Sequence, residues 1–142
     1  MLKILVAVDG SDYSKKALSK AKDLASVFKS DVTILNVTNL VDRADYYSMN
    51  RYDKTGLEKA LERESGLLLE NAKQEFEGLP IKVETIKGKG DPSNEIIKLA
   101  EEGGFDLIVM GSRGLGVFSR TLLGSVSDKV THHANLSVLI VK

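Results

Sequence analysis

Five short strand-like runs alternate with four helical stretches along this chain, and that alternation leaves few folds open. The first run, Leu2 to Val8, is apolar apart from one lysine and reads as a strand buried on both faces. The second is Asp31 to Val37, and the third, Ile81 to Lys87, alternates apolar and polar residues as a half-exposed edge strand does. The fourth is Leu107-Ile108-Val109-Met110 and the last runs from Ser137 to Val141. Between the first two, Ala17, Leu18, Ala21, Leu24, Ala25 and Phe28 keep a 3.6-residue period. Gly56 to Phe76 carries a second such stripe, and Gly78-Leu79-Pro80 ends it. Asp91-Pro92 is a strong helix start, with Asp as N-cap and Pro in the first turn, and Gly103-Gly104 closes that helix. A strand–helix order repeated to the end predicts an α/β fold, a parallel sheet with helices on both faces, in one domain spanning 1–142.

Composition narrows the function. The 142 residues hold 20 basic and 20 acidic side chains, a balance that argues against bulk nucleic-acid binding. There is no cysteine, hence no disulfide frame, thiol nucleophile or Cys-based metal site. The start shows no leader-like pattern and no apolar run approaches the length of a membrane span, so a soluble, cytoplasmic protein is expected. His132 and His133 are adjacent on a helix and cannot face one metal ion together. Residues 38–55 lack a helical period and hold Tyr46, Tyr47 and Tyr52, which stack on a base, pack on a partner subunit or cover their own backbone.

The chemistry concentrates between Phe105 and Ser127. A buried strand breaks at Gly111, a loop carries Gly114 and Gly116, and Gly124-Ser125-Val126-Ser127 reads as a helix start. A glycine loop feeding a helix N-terminus favours an anion. It is not a Walker A loop, because Val117 and Phe118 stand where Lys and Ser/Thr belong, and it is a poor match to a dinucleotide fingerprint. Glycines placed for tight turns alone would explain the same residues. Ser125-x-x-Asp128 has the form of a capping box. Arg113 and Arg120 bring guanidinium groups that suit phosphate, while Leu115, Val117, Phe118, Leu122 and Leu123 make the loop too apolar to lie free in water. Asp9, followed by Gly10-Ser11, puts a carboxylate at the end of the first strand, as a ligand contact or as a turn residue.

The spacing Gly111-x2-Gly114-x9-Gly124-Ser125 resembles the ATP-binding signature of the universal stress protein family, and the likeness runs from Ile4–Asp9 to Val138–Val141. Ser137 departs from it, standing where related sequences often have Pro. The resemblance implies a Rossmann-like, open five-stranded sheet in the order 3-2-1-4-5. It implies adenine held by the main chain of Val37, ribose by Asp9 and Gly111, and further nucleotide contacts from Ala7, Val8 and Met110. It places the phosphates on Gly114, Gly124, Ser125, Val126 and Ser127, assisted by Arg113, with Mg²⁺ or Mn²⁺ on the phosphates and on Asp9. It also implies a homodimer through the Ser137–Val141 edge strand and a further protein partner that reads the bound state. With the implied strand order, Asp9 and Gly111 flank one crevice where the chain reverses direction across the sheet. The expected function is an ATP-binding, nucleotide-dependent stress or regulatory protein. The alternatives are a slow ATPase or self-phosphorylating enzyme, for which no general base beyond Asp9 and no P-loop lysine is evident, and a dimeric interaction module without nucleotide.

Overall fold

The computed structural model describes residues 2–40, 45–115 and 123–142. Its described elements are β1 (Lys3–Ala7), α1 (Asp12–Phe28), β2 (Asp31–Thr38), a 3-10 turn at Tyr46–Ser48, α2 (Arg51–Gln74), β3 (Val83–Lys89), α3 (Pro92–Glu102), β4 (Leu107–Gly111), α4 (Ser125–His133) and β5 (Ser137–Val141). The five strands form one parallel sheet in the order β3-β2-β1-β4-β5.

Side-chain alternation on the strands splits the core in two. Ile4, Val6, Val32, Ile34 and Val109 face α1 and α2, where they meet Ala17, Ala21, Ala25, Leu69 and Phe76. Leu5, Leu35, Ile108 and Met110 face α3 and α4, where they meet Ile96, Ala100 and Val130. Strand β1 lies in the middle of the sheet, and Ile4, Leu5 and Val6 are all 0% exposed. Burial at that level stabilises by roughly 1.5–3 kcal/mol per large aliphatic side chain. The small residues of α1 let that helix press close to β4 and β5.

The bounds of α2 and β3 differ most from the sequence expectation. Helix α2 begins at Arg51 rather than Gly56, because the Asn50 side chain accepts the Asp53 N–H (2.8 Å) and caps it there. It ends at Gln74, two residues before Phe76. Gly56 is thus an interior helix residue, tolerated at a cost of about 1 kcal/mol relative to Ala. Strand β3 runs from Val83 to Lys89, displaced from the expected Ile81–Lys87. Gly88 and Lys89 belong to the strand and not to a turn, and Gly90 turns the chain with φ +125°. Gly88 suits its place because a Cβ there would stand 3.1 Å from Cγ2 of Val37, its cross-strand partner.

Candidate functional site

Strands β1 and β4 are neighbours, yet the helices that follow them leave to opposite faces, α1 to one and α4 to the other. That divergence opens a crevice beyond their carboxyl ends, the usual ligand position in an open α/β sheet. A cavity of about 320 Å³ occupies it. This lies at the small end of the roughly 300–1,000 Å³ typical of small-molecule sites.

The cavity has an apolar wall and a polar one. Leu35 and Val37 of β2, Ile96 of α3 and Met110 of β4 supply the apolar side. The polar side joins Asp9, Ser14 and Arg113 to Gly114 and to Gly124, Ser125, Val126 and Ser127 at the start of α4. The residues that the family resemblance assigns to the nucleotide all line this one space: Ala7, Val8, Asp9, Val37, Met110, Gly111, Arg113, Gly114, Gly124, Ser125, Val126 and Ser127. Tyr46, Tyr47 and Tyr52 do not line it; Tyr46 and Tyr47 stack edge to face at 5.2 Å, with the Lys54 ammonium 4.5 Å over Tyr46. Leu115 also lines the cavity and is 72% exposed in the single chain. Gly116, Val117, Phe118, Arg120 and Leu122 lie outside the described residues.

A side chain would be crowded at each signature glycine, most severely at Gly111, where the neighbour is main chain. A Cβ on Gly111 would lie 2.8 Å from the Tyr13 main chain at the start of α1. On Gly114 it would lie 2.5 Å from Oδ2 of Asp9, and on Gly124 it would lie 3.3 Å from Cα of Arg113. The loop's stems are tied at one atom, the Ser112 carbonyl oxygen. It accepts from the Gly124 N–H (2.6 Å) and from the Ser127 hydroxyl (2.8 Å). The Ser112 N–H in turn donates to the Val141 carbonyl (2.8 Å), fastening the same residue to β5.

Asp9 is held in a tight turn. Its Oδ1 accepts the Ser11 N–H (2.9 Å), leaving Oδ2 toward Gly114. Ser11 then caps α1 by accepting the Ser14 N–H (3.1 Å). The expected capping box at Ser125 is not formed: the N-cap is Gly124, one residue earlier, and no side chain caps α4. Ser127 uses its hydroxyl on the Ser112 and Gly124 carbonyls instead. Helices α1, α2 and α3 all carry a side-chain cap, so α4 alone among them begins without one, and it begins at the cavity. Its first N–H groups and its dipole are therefore available to an anion.

A nucleotide fits this arrangement, with an apolar slot at one end and an uncapped helix start at the other. For a metal ion, no group of three or more His, Cys, Asp or Glu side chains occurs among the described residues. Asp9 is the single carboxylate on the cavity wall among them.

The sequence profile of the universal stress protein family matches residues 1–142. This chain belongs to the universal stress protein family. Among its relatives, the universal stress protein YxiE of Bacillus subtilis is 37% identical over 147 residues, covering 99% of this chain and 98% of that one. Among solved structures, that of MJ0577 from Methanocaldococcus jannaschii superposes with a TM-score of 0.86 at 34% identity, over 99% of this universal stress protein and 95% of MJ0577. A universal stress protein solved in complex with cAMP superposes with a TM-score of 0.69 at 25% identity, over 99% and 96% of the two chains.

Sequence reasoning missed Ser14, Leu35, Pro92 and Ile96 as lining residues of this universal stress protein's cavity. Each already had an ordinary role in a helix start, a strand or a core stripe, and none carried a signal that set it apart. No described helix is long and apolar enough to cross a membrane.

Proposed function

We propose that this universal stress protein binds an adenine nucleotide, ATP with Mg²⁺ or Mn²⁺, and acts as a nucleotide-dependent regulatory protein. The observation that carries the reading is the uncapped start of α4 opening onto the cavity that Asp9 and Val37 also line. The adenine ring lies in the apolar slot against the Val37 main chain, with Leu35, Ile96 and Met110 on its faces. Asp9 accepts hydrogen bonds from the ribose hydroxyls, with Ala7, Val8 and Gly111 closing around the sugar. The phosphates meet the N–H groups of Ser125, Val126 and Ser127, and the missing side chains of Gly114 and Gly124 let them approach the main chain. Arg113 adds positive charge beside them. A metal ion on the phosphate oxygens would lower their net charge and take Asp9 as its one protein carboxylate. The cAMP complex of a relative supports the class of ligand.

The test begins with the purified protein, denatured, and its released small molecules identified by mass spectrometry. The emptied protein is then titrated with ATP and Mg²⁺. Adenine nucleotide near one per chain is the expected result. Gly114→Val, which drives a branched side chain into the Asp9 carboxylate, is expected to lower affinity by more than about a hundredfold, above 2.7 kcal/mol. The absence of both released nucleotide and a titration signal would overturn the reading.

The partner proposed for the apolar edge is a second copy of the chain. Because Ser112 donates to the Val141 carbonyl, Val141 turns its main chain toward β4, and alternation turns those of Val138 and Ile140 outward. Ile140→Pro removes an outward N–H while sparing the β4 ladder. Dimers in sedimentation velocity that become monomers in this variant would support pairing through β5, and a monomeric wild type would end it.

A further inference from the structure

Asn36 sits on β2 between Leu35 and Val37, is 7% exposed and does not line the cavity. Ile34 faces α1 and α2, while Leu35 and Val37 face α3 and α4, so alternation puts Asn36 on the side away from the cavity. Its amide nitrogen nevertheless reaches across to β1 and donates to the Val8 carbonyl at 2.8 Å.

That bond lies where the sheet would otherwise continue. The β1–β2 register ends at the Ala7–Leu35 pair, and the Val8 N–H still donates to the Leu35 carbonyl (2.9 Å). In a parallel ladder the next bond runs from the Val37 N–H to the Val8 carbonyl. That ladder bond is not formed, and the Val8 carbonyl accepts from the Asn36 side chain instead. The direction of the Val37 main chain is fixed independently: the Thr38 carbonyl accepts from Gly90 on the β3 side, so the N–H and C=O of Val37 point toward the β1 side. There β1 has given way to the crevice. On the other end of the same peptide, the Asp9 N–H donates to the Ser14 hydroxyl at 3.3 Å. The Val8–Asp9 peptide is thus held by two side chains, one from β2 and one from α1.

We propose that Asn36 is a positioning residue that ends the β1–β2 ladder one step short, so that the Val37 N–H and C=O face the cavity and are presented to the edge of a planar, donor–acceptor ligand such as a nucleobase. The ligand half of this assignment rests on the function proposed above; the ladder half does not. Without the Asn36 amide, the Val8 carbonyl captures the Val37 N–H, the two strands zip further, and the edge-reading donor is lost. The carboxylate of Asp9 and the start of α4 stay in place, so the loss falls on the base and not on the phosphate.

The first readout needs no ligand. Amide hydrogen exchange, followed by NMR on the labelled full chain, is expected to show Val37 exchanging much faster than Val8, whose N–H is in a ladder bond. In Asn36→Leu, which keeps the side-chain bulk without a donor, Val37 is expected to slow several-fold. Equal protection of Val37 and Val8 in the wild type overturns the assignment, and this comparison stands even if the variant fails to fold. The second readout compares AMP with ribose 5-phosphate. Asn36→Leu is expected to bring AMP affinity down toward that of ribose 5-phosphate and leave ribose 5-phosphate unchanged, and Asn36→Gln, which retains the amide, to recover part of the difference. A parallel fall for both ligands marks general damage and overturns the assignment. A wild type that binds neither AMP nor ATP with Mg²⁺ overturns the proposed function, while the exchange measurement still decides whether Asn36 stops the ladder.

Discussion

Helices α3 and α4 pack side by side on one face of the sheet, and both begin at the same cavity, yet their starts are built in opposite ways. At α3 the chain supplies its own anion. The Asp91 carboxylate accepts the Asn94 N–H at 3.0 Å and the Ser93 hydroxyl at 2.7 Å, and the Lys129 ammonium of α4 stands 3.5 Å away. These contacts, the Ser93 hydroxyl first, hold the Asp91 carboxyl below its ordinary range. At α4 the chain supplies Gly124 and nothing more. The same backbone physics favours negative charge at both starts. A fixed carboxylate satisfies it at α3, which makes that end structural. A glycine leaves it unsatisfied at α4, which makes that end a place for a ligand.

The comparison breaks most visibly by exchanging the two designs. Gly124→Asp places a carboxylate at the start of α4, and the native φ of −71° and ψ of 167° at Gly124 suit any residue. A Cβ there meets Arg113 Cα at 3.3 Å, so only a small shift is needed. Isothermal titration is expected to show nucleotide affinity lowered about ten- to hundredfold, roughly 1.4–2.8 kcal/mol. Thermal stability of the nucleotide-free protein should hold within about 0.5 kcal/mol, since a glycine cap is only a few tenths worse than a good one. Equal affinity in this variant would show that the α4 start does not carry the anion.

The opposite change is smaller and falls on stability. Asp91→Ala is expected to cost about 1 kcal/mol in urea unfolding, while nucleotide affinity stays within about a factor of three. A larger effect on binding than on stability would remove the distinction between the two starts. The smallest expected effect is on acid stability. Because the folded pKa of Asp91 is lowered, its contribution is complete above the unfolded carboxylate value near 4 and is lost as pH falls through the folded value. Asp91→Asn caps without titrating, so its stability should change less than wild type between about pH 5 and 2, with wild type the more stable near neutrality.

The sequence makes the site more legible than the local geometry that builds it. Asp9 lies far in the chain from the stretch that holds Gly111, Gly114 and Gly124 through Ser127, and the structure brings them to one cavity. The alternation of elements predicts a parallel sheet, while its strand order follows from the family resemblance and agrees with the structure. Ser125 misleads because Ser-x-x-Asp fits a capping pattern, whereas the first helical turn is set one residue earlier by the Gly124 bond to Ser112. Gly56 misleads because glycine inside a helix looks like an end, and the Asn50 cap overrides it. Ile81 extends an alternating pattern past the point where β3 pairs with β2. Asn36 has no sequence signal at all, since its role depends on where a strand from elsewhere in the chain stops.

The Ser112 carbonyl has a consequence for how such a chain can change. By holding both the Gly124 N–H and the Ser127 hydroxyl, it fixes the two stems of the glycine loop against each other, and a Cβ on Gly124 would lie 3.7 Å from the Gly114 nitrogen. The connection of nine residues between Gly114 and Gly124 therefore leaves and returns at nearly one point. Doubling such a connection adds only about 0.6 kcal/mol of closure entropy. With its stems held in register by the Ser112 carbonyl, lengthening this connection is expected to cost little in closure entropy, so the family can vary its length here more cheaply than within the sheet.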